Sequence, residues 1–208
     1  MNVVSVQNPA DGIENHLIKD MHRLRARVFR ERLGWNMECT SEFEVDRFDE
    51  MSPTYILCLT PTDVVIGCVR LLPAKGTTML QSVFPQLLQS GQLATHGGMI
   101  ESSRFCVDTD LSTNRTQNGL HPATLALFAG IVEWSLLYGY TEIVTATDVR
   151  LERILRRIGW PLTRLGDPVE INETRSVAGL LPVDRKRFNM LRPSAYSSSF
   201  QTSEEETA

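Results

Sequence analysis

The spacing of apolar residues along the chain alternates between the period of a helix and that of a strand. The residues Ile13, Leu17, Met21, Leu24 and Val28 recur every three or four positions, which predicts a helix over 13–33. The β-rich runs at 54–60 and 63–72 are separated by Pro61-Thr62, which predicts a hairpin. By the same criteria, further strands are predicted at 2–6, 100–107, 142–147, 168–172 and 175–181, and further helices at 79–89, 119–138, 149–158 and 184–190.

The order of these elements indicates the fold class. Strands and helices alternate through the middle of the chain after the hairpin, which is typical of an α/β or α+β domain whose helices flank a mixed, mostly antiparallel sheet. We expect one domain over residues 1–192. The segment 193–208 is polar and has little apolar surface to offset the entropy of ordering, so we predict a disordered tail.

A polar, acidic segment at 36–53 shows neither period and predicts a long loop. Loops of this length are usually functional or disordered. Asp46 and Asp49 are three residues apart, so a turn would place both carboxylates on one side. The alternative is a solvated loop whose charges serve solubility.

Composition narrows the classes of function. The chain has 208 residues, 42% of them hydrophobic, and a net charge of −4, so it can build a large core and has no general attraction to nucleic acid or an anionic membrane. The four cysteines lack C-x-x-C spacing and the four histidines lack metal-ligand spacing, so we expect reduced thiols and no metal. We find no leader and no apolar run of about 18 residues, and therefore expect a cytoplasmic protein.

Charged residues interrupt two of the apolar strands. Arg70 lies within VIGCVRLL, and Glu101 and Arg104 lie within IESSRFCV. Because charged side chains are seldom buried unpaired, we expect them to face a polar cleft, where a carboxylate of raised pKa can act as a base. On the first helix, Arg25 and Phe29 share a face that can hold a carboxylate beside a ring; a solvated arginine face over a core phenylalanine is the alternative.

Several motifs, taken in order, point to a family. They are MHRLRARVF at 21–29, Gly34-Trp35, Glu44-x-Asp46-x-x-Asp49, GCVRLLP at 67–73, Thr78-Met79-Leu80, Phe84-Pro85 and ESSRF at 101–105. Their order and spacing resemble those of the acyl-homoserine-lactone synthases of quorum sensing over about residues 15–190. The stretches ESSRFCVDT, TLALFAGIVEWS and GYTEIVTATD are similar to the branch linked to plasmid transfer.

The resemblance implies an N-acetyltransferase-like fold and an enzyme without a tightly bound cofactor. Such synthases join S-adenosylmethionine (SAM) to an acyl chain on acyl carrier protein, and release 5′-methylthioadenosine. The amine of SAM must lose a proton before it attacks the thioester, and we predict that Glu101 is the base. By family position, Arg104, Asp46 and Asp49 join Glu101 in the catalytic group, and Arg25, Phe29, Trp35 and Arg70 surround SAM.

The acyl chain is expected to occupy an apolar tunnel. We predict that its contacts are Met79, Phe84, Ser103 and Thr145; Met79 and Phe84 are apolar enough to line the tunnel, or to form ordinary core. Leu125, Trp134 and the strand at 143–147 are apolar enough to line the tunnel, or to form ordinary core. In this family a threonine on this strand accompanies a 3-oxo acyl substrate, whose keto oxygen the hydroxyl could bond; a β-branched residue that only favours the strand is the alternative. We therefore predict a medium-chain 3-oxo acyl group.

The helix at 149–158 has a basic face. Its arginines, at offsets that share one side of a helix, are Arg150, Arg153, Arg156 and Arg157. Acyl carrier proteins are acidic, so we predict that this face docks the carrier; a solvated helix is the alternative.

Two other functions compete. One is an N-acyltransferase of the same fold that uses acyl-coenzyme A, although Arg115 and Gly119 do not supply that family's pyrophosphate-binding pattern. The other is a DNA-binding regulator, which the net charge and the lack of helix-turn-helix spacing disfavour.

Overall fold

A computed structural model describes residues 1–32, 42–110 and 119–200 of the chain. The helices in these ranges are α1 (Gly12–Ala26), α2 (Met79–Val83), α3 (Pro122–Leu137), α4 (Val149–Arg157) and α5 (Arg185–Leu191). The strands are β1 (Asn2–Val6), β2 (Thr54–Leu59), β3 (Val65–Pro73), β4 (Met99–Val107), β5 (Glu142–Asp148), β6 (Thr163–Arg164), β7 (Val169–Ile171), β8 (Thr174–Pro182) and β9 (Ser197–Ser199). A π-helical turn, Arg27–Arg32, continues α1, and a 3-10 turn, Pro85–Leu87, follows α2.

The strands of the described ranges form one sheet in the order β6-β8-β5-β4-β3-β2-β1-β9, with β7 paired to β8. The pairs β4–β5 and β1–β9 run parallel. The other neighbours run antiparallel. The predicted fold class, a mixed and mostly antiparallel sheet flanked by helices, is confirmed.

Helices cover the sheet on both faces because its central strands are apolar on both faces. Strand β2 is buried along its whole length, and its alternate side chains point to opposite sides. Leu57 packs with Leu17 and Met21 of α1. Its neighbour Ile56 packs in the larger core that contains α3. Helix α3 begins at Pro122, where the missing N–H loses no helical hydrogen bond.

Strands β4 and β5 are paired only at their beginnings. Their parallel ladder runs from Met99 and Glu142 to Ser102 and Thr145. Beyond it, β5 continues beside β8 and β4 continues beside β3. A bulge in β4 accompanies this parting, and within it Arg104 has a φ of +55°, in the left-handed region. Bulges redirect side chains beside functional sites, so this one marks a place to look for chemistry.

The sheet extends past the expected domain boundary at residue 192. Strand β9 pairs with β1, and the Tyr196 hydroxyl donates a 2.6 Å hydrogen bond to Glu133 on α3. The expected disorder of the segment 193–208 therefore does not hold for residues 193–200, and residues 201–208 lie outside the described ranges. A strand of three polar residues is too short for periodicity to reveal, and its partner is more than 190 residues away.

Candidate active site

A cavity of about 380 Å³ opens where β4 and β5 part. Its walls come from these two strands, from α2, and from the hairpin of β7 and β8. The predicted site residues on its walls are Phe29, Met79, Phe84, Glu101, Ser103, Arg104 and Thr145. The fold thus brings side chains that are more than 100 positions apart in the sequence, such as Phe29 and Thr145, into one cavity.

Other predicted residues lie elsewhere. Arg25, Asp46, Asp49 and Arg70 do not line the cavity but form a cluster behind it. Leu125 and Trp134, considered as possible tunnel residues, belong to the core around α3 and are not on the cavity wall. Helix α3 is apolar on all sides, so its sequence did not indicate which side chains would face a cavity. Trp35 falls outside the described residues.

The cluster behind the cavity is ionic and electrically balanced. It contains three arginines and three acids, namely Arg25, Arg70, Arg104, Glu44, Asp46 and Asp49. The side chains of Arg25, Glu44 and Arg70 are fully buried, and that of Asp46 is the most exposed at 18%. Buried charges persist only when they are paired and hydrogen-bonded, which is the condition that this arrangement meets.

The loop that supplies the acids is fastened to α1 through His22. The Glu44 N–H donates to the His22 carbonyl at 3.2 Å, and His22 Nδ1 lies 2.8 Å from the Glu44 carbonyl. An acceptor at this position requires that Nδ1 carries the hydrogen. Burial, and then the charge of Arg25, lower the pKa of His22. The ring is thus held neutral while it anchors the loop.

A turn brings Asp46 and Asp49 together, as predicted from their spacing. The Asp49 N–H donates to the Asp46 carbonyl at 2.9 Å, and the Asp46 N–H donates to Asp49 Oδ2 at 2.8 Å. Both carboxylates then accept from the Arg70 guanidinium. The alternative of a solvated loop does not hold for this part of the segment.

Asp49 is the centre of the cluster. Its carboxylate accepts two bonds from Arg25, at 2.8 and 3.0 Å, and one each from Arg70, Tyr55 and the Asp46 amide. Burial alone would raise the pKa of Asp49, but the hydrogen bonds and charge of Arg25 and the charge of Arg70 hold it well below its usual range. Asp49 is therefore a fixed anion rather than a proton carrier.

Arg70 uses all five of its N–H donors within the protein. Nε donates to Ser103 Oγ, NH1 to Asp46 and Asp49, and NH2 to Asp46 and the Met79 sulfur. A guanidinium has five such hydrogens. Arg70, expected beside SAM, has no donor to offer a ligand unless one of these bonds breaks.

Arg104 differs from Arg70 in that it lines the cavity and keeps donors in reserve. It donates to Glu44 from Nε and to the Met79 sulfur from NH1, and its NH2 is paired with Asp46. Among the described residues these contacts occupy three of its five N–H groups. Its guanidinium also lies 5.8 Å from the centre of the Phe29 ring. Arg104 is the arginine of the cluster that can hold an anionic group of a ligand.

Glu101 is held at the N-terminus of α2. Its two carboxylate oxygens accept 2.7 Å hydrogen bonds from the backbone amides of Met79 and Leu80. Burial raises the pKa of Glu101, while the bonds from Leu80 and Met79 oppose the rise. A carboxylate of raised pKa on a cavity wall is suited to accept a proton, which agrees with the predicted base.

The hydroxyl of Thr145 already has a partner. It donates to the Ser102 carbonyl at 2.8 Å, where the ladder between β4 and β5 ends. A hydroxyl has one hydrogen, so a bond from Thr145 to a keto oxygen would require that the hydroxyl turn away from Ser102.

The predicted basic face lies on the surface of α4. The side chains of Arg150, Arg153, Arg156 and Arg157 are exposed. Glu152, the one acid among them, is buried, and it accepts two 2.7 Å bonds from Arg164, while NH2 of Arg156 lies at 3.6 Å from it. The acid that could neutralise this face is therefore turned mainly toward Arg164.

The structure adds three residues to the predicted set, namely Glu44, Tyr55 and His22. Tyr55 lies in an apolar strand and reads as core, and His22 lies on the polar side of an amphipathic helix. The signal that could have found Tyr55 is its register, because it pairs directly with Arg70 across the hairpin. In the described part of the chain, no three or more His, Cys, Asp or Glu side chains are arranged so that they could hold a metal ion. None of the helices described here is long and apolar enough to cross a membrane.

Comparison with known proteins supports a single family. A family model for autoinducer synthases matches residues 11–191. An acyl-homoserine-lactone synthase of Agrobacterium fabrum is 56% identical over 181 residues, which cover 87% of this chain and 86% of that protein. The crystal structure of TofI in a ternary complex with an inhibitor and MTA is 28% identical, with a TM-score of 0.76 and coverage of 92% of this chain and 96% of TofI.

Two further structures bear on the fold. BjaI, a CoA-dependent acyl-homoserine lactone synthase solved with SAM and isopentyl-CoA, is 22% identical with a TM-score of 0.82, and the match covers 95% of this chain and 92% of BjaI. A putative N-acetyltransferase from Lactobacillus plantarum is 15% identical with a TM-score of 0.59, over 88% of this chain and all of that one. The expected likeness to the N-acetyltransferase fold is confirmed.

Proposed function

The chain belongs to the autoinducer synthase family, whose members are acyl-homoserine-lactone synthases, and from this premise we propose that its cavity joins SAM to an acyl thioester. The α-amine of SAM attacks the thioester carbonyl, so that a C–N bond forms, the C–S bond of the thioester breaks, and the acyl donor leaves as its protonated free thiol. The carboxylate of SAM then attacks its own γ-carbon, so that the lactone C–O bond forms and the C–S⁺ bond breaks. The second step releases 5′-methylthioadenosine.

The observation that supports this proposal most directly is the pairing of a base and a cation on one cavity wall. Glu101 has a raised pKa, and Arg104 has donors to spare. Glu101 accepts a proton from the attacking amine, directly or through one water, which is typically worth about 10² to 10⁴ in rate. Arg104 holds the carboxylate of SAM until it attacks.

The remaining predicted residues take supporting roles. The Phe29 ring lines the cavity beside Arg104, where it faces the sulfonium, a contact of about 0.5–2 kcal/mol. Arg25, Arg70, Asp46 and Asp49 hold Arg104 and Ser103 in place from behind. Trp35 is proposed for the SAM site on the family resemblance alone.

We propose that the acyl chain lies along α2 and the parted strands. Met79 and Phe84 supply apolar wall on one side, and Thr145 lies on the other. Ser103 accepts a 3.1 Å bond from Arg70 Nε, which leaves its own hydroxyl hydrogen for the carbonyl oxygen of the thioester. For a 3-oxo chain, the Thr145 hydroxyl exchanges its bond to Ser102 for one to the keto oxygen.

For the acyl donor, acyl carrier protein is our first proposal and acyl-coenzyme A the second. The basic face of α4 fits an acidic carrier, and Leu151 on the same helix lines the cavity, so a carrier docked there would have its arm at the entrance. Acyl-coenzyme A is retained as the second proposal because the structurally similar synthase BjaI is CoA-dependent. We further propose a cytoplasmic location, because both substrates are made inside cells.

Replacement of Glu101 by Gln tests the base. We expect kcat to fall by about 10² or more, measured as 5′-methylthioadenosine released from SAM and an acyl donor. Because the new amide nitrogen would face one of the α2 backbone donors, circular dichroism and SAM binding must show that the variant folds and binds. A folded variant that turns over at the wild-type rate would remove Glu101 from the mechanism.

A charge-reversal pair tests the donor. The variant Arg153→Glu/Arg157→Glu should raise KM for acyl carrier protein by about tenfold, with little change in KM for SAM. The control, Lys19→Glu/Lys186→Glu, changes the net charge equally at exposed positions on α1 and α5. Equal KM values in both variants, or a wild-type preference for acyl-coenzyme A, would favour the second donor.

A further inference from the structure

Tyr55 is a buried residue that the proposed chemistry does not use, although it is joined to the site by hydrogen bonds. Its side chain lies on β2, and its backbone pairs with Arg70 on β3, which in turn pairs with Ser103 on β4. The three residues form a row across three neighbouring strands. Only Ser103 of this row lines the cavity.

The contacts along the row are continuous. The Tyr55 hydroxyl donates to Asp49 Oδ1 at 2.7 Å, and Arg70 NH1 donates to the same oxygen at 2.8 Å. Arg70 Nε donates to Ser103 Oγ at 3.1 Å. Because Arg70 has no unused donor, we expect a displacement of Asp49 to disturb its other bonds. Two of these reach residues on the cavity wall, namely Ser103 and the Met79 sulfur, and of the two only Ser103 has a hydroxyl that can donate to a substrate.

Tyr55 and Asp49 also line a second cavity. This smaller space has a volume of about 270 Å³, and His22 is also on its wall. The Asp49 side chain is only 5% exposed. Without the phenolic hydroxyl, Oδ1 keeps its bonds from Arg25 and Arg70 but loses the bond from Tyr55, and water in this cavity can take the place of that hydroxyl.

We propose that Tyr55 is a positioning residue of the synthase reaction, which acts through Asp49 and Arg70 to aim the Ser103 hydroxyl at the thioester carbonyl. This inference rests on the proposed function, in which Ser103 meets the thioester. Tyr55 touches no substrate. Its effect is on the orientation of a donor, and small errors of orientation are costly in the transition state.

The chain offers a matched control for the test. Tyr196 is half-buried and likewise donates its hydroxyl to a carboxylate, Glu133 on α3, at 2.6 Å, but neither residue of this pair lines either cavity. Tyr55→Phe and Tyr196→Phe therefore remove the same chemical bond at two places. We expect comparable decreases in Tm. Only Tyr55→Phe should lower kcat, by about tenfold, with KM for SAM within twofold of wild type.

A double-mutant cycle identifies the route. If Tyr55 acts through Ser103, then Tyr55→Phe should lower kcat in the wild-type background but not in the Ser103→Ala background. Equal kcat in Tyr55→Phe and Tyr196→Phe would overturn the proposal, and so would multiplicative effects of Tyr55→Phe and Ser103→Ala. Failure of the wild type to release 5′-methylthioadenosine with any donor would overturn the proposed function as well, so the two failures are distinguishable.

Discussion

Replacement of Asp49 by Asn removes the charge at the centre of the ionic cluster with little change of shape. The amide oxygen of Asn can still accept the bonds that Oδ1 receives from Arg25, Arg70 and Tyr55. The amide nitrogen takes the place of Oδ2, where it meets two other donors, Arg25 NH2 and the Asp46 N–H. The cluster then contains three arginines and two acids, so one buried positive charge is unbalanced.

The cost follows from the burial of the partners. The side chains of Arg25 and Arg70 are fully buried, so water cannot take the place of the lost carboxylate. Removal of one partner from a buried ion pair typically costs about 3–5 kcal/mol, mostly because the other charge is left unpaired. A domain of this size has about 5–15 kcal/mol in all, so the variant should lose a large share of its free energy of unfolding.

Urea unfolding, followed by tryptophan fluorescence and extrapolated to water, measures this difference. The control is Asp184→Asn, at an exposed pair with Arg187 in which the two side chains are 41% and 28% exposed. Asn still caps α5 there, so we expect a change of less than about 1 kcal/mol. A loss in Asp49→Asn no larger than in this control would refute the view that the cluster depends on the Asp49 charge.

The pH dependence provides an independent check. Because the pKa of Asp49 is depressed in the folded state, its contribution is fully present above the unfolded-state pKa of about 3.9 and is lost as the pH falls through the lower folded-state pKa. The free-energy difference between wild type and Asp49→Asn should therefore stay constant at neutral pH and shrink only below about pH 4. A difference that shrinks near pH 6 would assign the effect to another group.

Three further outcomes are expected. Thr145→Val should lower the kcat/KM ratio for 3-oxo over unsubstituted acyl donors, whereas Thr145→Ser should keep it; an unchanged ratio in Thr145→Val would discard the keto contact. The acid limb of kcat/KM should report a pKa above the ordinary glutamate range and disappear in Glu101→Gln, since the ionised form is the base. Gly179→Ala should lose about 2 kcal/mol or more, because its Cβ would lie 2.6 Å from the Thr163 carbonyl oxygen, whereas Gly97→Ala meets nothing within 4 Å and should be neutral in the same unfolding assay.

The elements of this fold were predictable where the apolar pattern is long. Helix α3 and the hairpin of β2 and β3 follow directly from this pattern. Each is bounded by Pro or Gly, and in each the apolar spacing repeats more than once. The end of α1 was not predictable. The apolar spacing continues through Val28 and Phe29, whereas the backbone changes to a π-helical turn at Arg27. Strand β9 depends on a partner at the opposite end of the chain, which local pattern does not encode.

The site was predictable as a set of residues but not as an arrangement. Arg70, Glu101 and Arg104 stood out because charges in apolar strands need partners. Which partners they have depends on sheet register and on the path of the 42–53 loop. Arg70 and Arg104 look alike in the sequence, yet one is saturated by protein acceptors and the other faces the cavity. The bulge at Arg104 accounts for that difference, and the residues of the motif do not predict a bulge there.

The proposed function, in which the cavity binds SAM, is consistent with the balance of charge around it. The three arginines and three acids cancel, so the cluster adds no net charge to the cavity wall. Glu101 forms no ion pair with a described residue, and its charge is stabilised by the backbone amides of Leu80 and Met79 and, to a lesser extent, by the charge of Arg70. SAM has a sulfonium, an ammonium and a carboxylate, and is a net cation. In the proposed function, the binding of SAM would therefore offset the cost of burying the Glu101 charge, and the ammonium that does so would be the group whose proton Glu101 accepts.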